Sequence, residues 1–196
     1  MKVIGITGNS GSGKSTICKI IAERMKVKII DADKIAKSLD FVGSEYVQKI
    51  TQIFGDKILN GAGSLNRKKL AELIFSDFYQ KKQLDELTFE YVVREILEQL
   101  ERYKEEDLEL ILLDVPLLFE AGLEQKCDCV ISVIASTEMK LERIQKRDQI
   151  KPDIAKGRLL MQKDDKFFYQ HSDFVIENNG SMELLKSRLE RILEEI

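Results

Sequence analysis

Five short apolar runs punctuate the chain, and between them aliphatic residues recur every three or four positions. The runs are Lys2 to Thr7, Val27 to Ala32, Leu108 to Val115, Cys129 to Ile134 and Asp173 to Glu177. They are rich in Val, Ile and Leu and nearly continuous in hydrophobicity, which suits strands covered on both faces. A helical pattern follows the first run, from about Lys14 to Met25. Strands alternating with helices predict an α/β fold, with a central parallel sheet of about five strands between two helical layers. The alternation breaks between the second and third runs. Residues 44–107 read as mostly helical, with apolar positions at three and four spacing through Leu70, Leu73 and Ile74 and again through Leu84, Leu87 and Tyr91. Gly61 to Ser64 is a loop within that stretch, and no Pro/Ser-rich linker sets it apart, so it is expected to pack on the sheet as a subdomain. Of the two prolines, Pro116 ends the third run and Pro152 suits the first turn of a helix.

Composition narrows the class. Of 196 residues, 43% are hydrophobic and 33% charged, which excludes a disordered chain. The net charge of -3 argues against a dedicated nucleic-acid binder. The first apolar run is too short for a secretory signal, and no run approaches the ~20 residues of a spanning helix. A cytoplasmic protein with no membrane or nucleic-acid partner is expected. The three cysteines, Cys18, Cys127 and Cys129, form no disulfide framework, and a single histidine leaves no zinc set, so inert thiols are expected.

The first turn after the first strand changes the picture from fold to chemistry. Gly8-Asn9-Ser10-Gly11-Ser12-Gly13-Lys14-Ser15 fits the phosphate-loop pattern G-x-x-x-x-G-K-[ST] at every fixed position, with a strand before it and a helix after it. Its glycines admit positive φ, its amides and the helix start face an anion, Lys14 can bridge β- and γ-phosphates, and Ser15 offers a hydroxyl to Mg²⁺. An ordinary Gly/Ser turn does not require all of these residues. The fold expected is therefore that of a P-loop NTPase, and the reaction that of an ATP-dependent small-molecule kinase.

Three further groups fit that chemistry, each beside a plainer reading. Asp114 ends the third strand, where a carboxylate can orient the metal ion, directly or through water, or simply face solvent. Asp31-Ala32-Asp33 ends the second strand. In an extended chain both carboxylates would project to one side, and one could accept the proton of an attacking hydroxyl, while Asp33 also suits a helix N-cap. Lys140, Arg143 and Arg147 share a face of one predicted helix and could close over ATP, or form a solvated face with Glu138, Glu142 and Asp148. Rival functions remain at this point: a nucleoside or nucleoside monophosphate kinase, a GTPase, and a nucleotide-binding module without catalysis. The GTPase reading draws on Asp40-Phe41-Val42-Gly43 as D-x-x-G and on Gln145-Lys146-Arg147-Asp148, one residue off N-K-x-D. However, Asp40 follows no apolar strand and Gln145 lies within a predicted helix.

The order of these motifs resembles the dephospho-coenzyme A kinase family. The resemblance starts with G-N-S-G-S-G-K-S-T and the later D-A-D, and continues with Leu65-Asn66-Arg67-Lys68-Lys69-Leu70 and Ile74-Phe75. Asp114-Val115-Pro116-Leu117-Leu118-Phe119-Glu120 is similar to the family's V-P-L-L-x-E signature, which other phosphate-loop kinases lack. Arg143 with Arg147-Asp148, then Gln162, then Asp173-Phe174-Val175-Ile176-Glu177-Asn178-Asn179-Gly180 complete it in the family's order. The resemblance implies phosphorylation of the ribose 3′-hydroxyl of dephospho-coenzyme A by ATP with Mg²⁺. It implies ATP phosphates at Gly11, Ser12, Gly13, Lys14, Ser15 and Thr16 with Arg147, the metal ion at Ser15 and Asp114, Asp33 as base, and Arg143 as a phosphate-contacting lid arginine. It further implies one kinase domain over 1–196, with core 1–43, 108–136 and 170–196, a coenzyme-binding insertion 44–107 and a lid 137–169. A monomer is expected. One departure stands out: Phe89-Glu90 occupies the middle of the insertion, where the family usually has His-Pro.

Overall fold

The apolar runs become a five-stranded parallel sheet in the computed structural model, which describes residues 1–74, 77–106 and 108–196. Phe75 of the Ile-Phe pair and Asp107 at the expected end of the insertion lie outside the described residues. The strands are β1 (Lys2–Thr7), β2 (Val27–Asp31), β3 (Leu110–Asp114), β4 (Cys129–Ile134) and β5 (Phe174–Glu177), in the spatial order β2-β3-β1-β4-β5. Every residue of β3 and β4 is buried, which is why their sequences show no alternation. In register, Val3 lies opposite Ile111 and Ile6 opposite Asp114, while Thr7 lies opposite Ser132.

The first compact unit is Met1–Ile30 with Glu106–Ile196. Its helices are α1 (Lys14–Ala22), α6 (Thr137–Asp148), α7 (Pro152–Leu160), α8 (Asp165–His171) and α9 (Met182–Glu195), with Pro152 at the first turn of α7. Helix α1 turns Ile17, Cys18, Ile20 and Ile21 inward onto Ile4, Ile6, Leu112 and Ile131, and Leu185 and Leu189 of α9 join the same core. The helix stops at Ala22 rather than Met25, and a turn follows in which Met25 N–H donates to the Ile21 carbonyl (3.0 Å).

The second compact unit, Asp31–Glu105, is helical: α2 (Ala32–Ser38), α3 (Glu45–Phe54), α4 (Arg67–Ile74) and α5 (Phe78–Tyr103). It therefore contains α2 as well as residues 44–74 and 77–105 of the stretch 44–107. Its own core holds Tyr46, Val47, Ile50, Phe54, Ile58, Leu70 and Tyr91, with Leu84 and Leu87 packed against it. Tyr46 and Tyr91 meet edge to face at 5.4 Å, and Tyr46 Oη and Thr88 Oγ1 share a hydrogen bond of 2.7 Å. Helix α5 runs 26 residues without a break. Phe89 and Glu90 lie mid-helix, where a proline would remove a backbone donor and clash with the preceding turn.

Two readings of the Asp-Ala-Asp segment are corrected here. The helix starts at Ala32, so the chain is not extended from Asp31 to Asp33 and the same-side geometry is lost. The N-cap is Asp31, whose carboxylate accepts from Lys34 N–H (3.0 Å), and Asp33 sits exposed in the first turn. Either aspartate could cap; the end of β2 at Asp31 decides it.

Leu112, fully buried in β3, tests the core. Leu112→Ala is expected to cost about 2–5 kcal/mol, read from the urea unfolding midpoint.

Candidate active site

The chain leaving β1 travels to β2 on one flank of the sheet, and the chain leaving β3 travels to β4 on the other. The carboxyl ends of these adjacent strands therefore flank the point where connections diverge, the usual ligand crevice of an open parallel sheet. The Gly8–Gly13 loop follows β1 there, and Asp114, 9% exposed, ends β3. Thr7 Oγ1 donates to the Pro116 carbonyl (3.2 Å), which joins the loop's entrance to the chain leaving β3.

The loop is built around its own lysine. Lys14 Nζ donates to the carbonyls of Gly8 (2.8 Å) and Asn9 (3.4 Å), so the ammonium lies folded against the loop. Helix α1 begins at Gly13, which offers no side-chain cap, whereas Ser44, Ser136, Asp164 and Ser181 cap α3, α6, α8 and α9. The first amides of a helix have no acceptor within it, so this uncapped start suits an anion. Ser15 and Thr16 occupy its first turn.

Helix α6 walls the loop from outside. A Cβ on Gly11, whose φ is 77°, would lie 2.6 Å from the Lys140 carbonyl, so only glycine lets the helix approach this closely. Arg143 Nη1 donates to the carbonyls of Gly11 (3.1 Å) and Ser12 (3.2 Å), and Nη2 to that of Asn178 (3.0 Å). The segment after α7 grips the loop tip: Ser10 N–H donates to Gln162 Oε1 (3.0 Å), Gln162 Nε2 donates to Ser10 Oγ (3.2 Å), and Asn9 Nδ2 donates to the Lys163 carbonyl (2.8 Å). A cavity of about 470 Å³ lies alongside, lined in part by Asn9, Lys140, Lys156, Gln162 and Lys163.

The three cations that share a helical face do not act together in this structure. Lys140 is 6% exposed and pairs with Asp165 at 3.5 Å, Arg143 holds loop carbonyls, and Arg147 pairs with Asp148 at 2.7 Å. Hydrogen bonds from Arg147 and then Arg158 hold the Asp148 carboxyl at about 2, below the usual carboxylate range. Thus Gly11, Ser12, Gly13, Lys14, Ser15, Thr16, Arg143 and Asp114 belong to one unit. Arg147 is engaged at the far end of α6, and Asp33 belongs to the second unit. Sequence reasoning gave no role to Asn178 or Ser10, because their partners lie far along the chain.

A model of the dephospho-CoA kinase family matches residues 2–183. The chain belongs to that family. It is 34% identical over 193 residues to the dephospho-CoA kinase of Lactobacillus johnsonii, covering 98% of this chain and 97% of that one. It is 37% identical over 194 residues to that of Fusobacterium nucleatum, with 99% and 98% covered. The solved dephospho-CoA kinase from Campylobacter jejuni superposes with a TM-score of 0.69 at 30% identity, covering 98% of this chain and 96% of that one. The whole-length match favours this family over a nucleoside kinase. The GTPase resemblance dissolves in the geometry: Asp40 pairs with Arg67 at 2.5 Å, and Gln145–Asp148 lies inside α6.

The thiols stand apart from this chemistry. Burial, reinforced by Asp128, pushes Cys127 up to about 12, and burial with Asp173 pushes Cys129 up to about 11. Both stay protonated in the native chain while unfolded thiols ionise near about 8.5. Stability is therefore full below about pH 8.5 and falls as pH rises toward the folded values. Native Cys127 and Cys129 are expected to react with a thiol reagent at pH 8 at least about 100-fold more slowly than the urea-unfolded chain.

Proposed function

We propose that this chain transfers the γ-phosphoryl group of ATP to the ribose 3′-hydroxyl of dephospho-coenzyme A, releasing ADP and coenzyme A. The observation that carries the reading is a complete phosphate loop at the divergence point of the sheet, in a chain that matches the dephospho-CoA kinase family over residues 2–183. Phosphoryl transfer asks a protein for positioning and charge, and these residues supply both.

In this reading residues Gly11 to Thr16 bind the ATP phosphates. Lys14, now on the Gly8 and Asn9 carbonyls, swings its ammonium onto the β- and γ-phosphates. The Ser15 hydroxyl and the Asp114 carboxylate are oxygen donors of the kind Mg²⁺ selects, and they fit it on that ground. Mg²⁺ held there would neutralise charge on the β- and γ-phosphates. Arg143 adds positive charge beside the loop, and contact with the moving phosphoryl group requires its fork to release a carbonyl. Arg147 serves ATP in the same way, by leaving Asp148. Asp33 accepts the proton of the ribose hydroxyl. Residues 44–107 take the coenzyme, residues 137–169 act as the lid, and the protein works as a cytoplasmic monomer.

A coupled ADP-release assay tests the reading, with dephospho-coenzyme A compared against adenosine and nucleoside monophosphates. Rapid ADP formation with dephospho-coenzyme A alone is the expected result, and equal turnover of a nucleoside monophosphate would overturn it. Lys14→Ala is expected to lower kcat/KM by about 100-fold or more. For Asp33→Asn, kcat is expected to fall by about 100-fold, with KM for ATP within about threefold of wild type.

A further inference from the structure

We propose that Asn178 is a positioning residue for the phosphate loop: its side-chain amide holds the Ser12 carbonyl outward, so that the Gly13 N–H across the same peptide is aimed at the bound phosphate. The inference rests on the loop's role as the ATP phosphate site. In a trans peptide the carbonyl and the N–H point in opposite directions, so fixing one orients the other.

Asn178 follows β5 directly and is 7% exposed. Its backbone N–H donates to the carbonyl of Ile134, the last residue of β4 (2.8 Å), which extends the ladder one residue beyond β5. Next to it, Asn179 Oδ1 accepts from Ser136 N–H (2.7 Å) at the N-cap of α6. The segment is thus anchored on both sides before it reaches the loop. Asn178 Nδ2 donates to the Ser12 carbonyl at 2.7 Å, the shortest of the bonds that this carbonyl and that of Gly11 receive from Asn178 and Arg143. A carbonyl only accepts, so the group facing it must be the NH₂ end of the amide. Arg143 donates to the same Ser12 oxygen and to the Asn178 carbonyl, which makes a closed ring of donors behind the loop. Gly13 has φ 107°, and a Cβ there would lie 2.2 Å from Asn178 Nδ2. The amide therefore abuts the residue whose N–H it orients.

Asn178→Asp is the sharpest probe, because a carboxylate of the same shape puts an acceptor against the Ser12 carbonyl. Binding of ADP, AMP and dephospho-coenzyme A is measured by calorimetry on the full chain, alongside the unfolding midpoint. A loss of ADP affinity of about tenfold or more is expected, with AMP and dephospho-coenzyme A affinities unchanged. Equal ADP affinity in variant and wild type overturns the inference, as does an equal loss for all three ligands or a lowered midpoint alone. Should the aspartate variant not fold, Asn178→Ser, whose hydroxyl is set back from the carbonyl, carries the same comparison. Wild type that binds no ADP would instead overturn the phosphate-loop reading itself.

Discussion

A main-chain amide can face an anion only while the carbonyl of its own peptide is held on the opposite side. A glycine-rich loop cannot meet that condition alone, because the freedom that lets its backbone approach phosphate also lets each peptide rotate away. The carbonyls of Gly11 and Ser12 have donors behind the loop, from Arg143 and Asn178. The Gly13 amide, which shares a peptide with the Ser12 carbonyl, is thereby oriented by what stands behind the loop.

The rest of the first unit supplies those donors. The parallel sheet sends the carboxyl ends of β1, β3, β4 and β5 to one edge, so a side chain just after β5 can reach a loop just after β1 across β4. Helix α6, entering from the end of β4, lays Arg143 along the same wall. Gln162 bonds the loop tip by both ends of its amide, so the segment from α6 to α8 is joined to the loop through side chains. A displacement of that segment must break these bonds or carry the tip with it. In the second unit, α5 continues unbroken through Phe89 and Glu90.

What could be read from the sequence follows the range of the interactions. The limits of β1 and β4 were legible because nearly continuous burial leaves a nearly continuous apolar run. The phosphate loop was legible because its constraints are local: positive φ, a lysine and a hydroxyl at fixed spacing. The choice between Asp31 and Asp33 as N-cap was not, because both types cap well and the decision depends on where β2 leaves the sheet. The common face of Lys140, Arg143 and Arg147 was read correctly as spacing, yet their partners come from α8, from the loop and from the adjacent residue on α6 itself. Asn178 was visible only as part of a motif. The bond that gives it a role spans 166 positions.

The edge-to-face pair of Tyr46 and Tyr91 also has an optical consequence. The chain contains no tryptophan and five tyrosines. Tyr46, Tyr79, Tyr91 and Tyr103 all fall within Asp31–Glu105, and only Tyr169 lies in the sheet-bearing unit. Intrinsic ultraviolet fluorescence and near-ultraviolet dichroism of the unmodified chain therefore come mostly from the helical unit. A single indole introduced beside the sheet would give the other unit a colour of its own, and the melting of each could be followed separately in one cuvette.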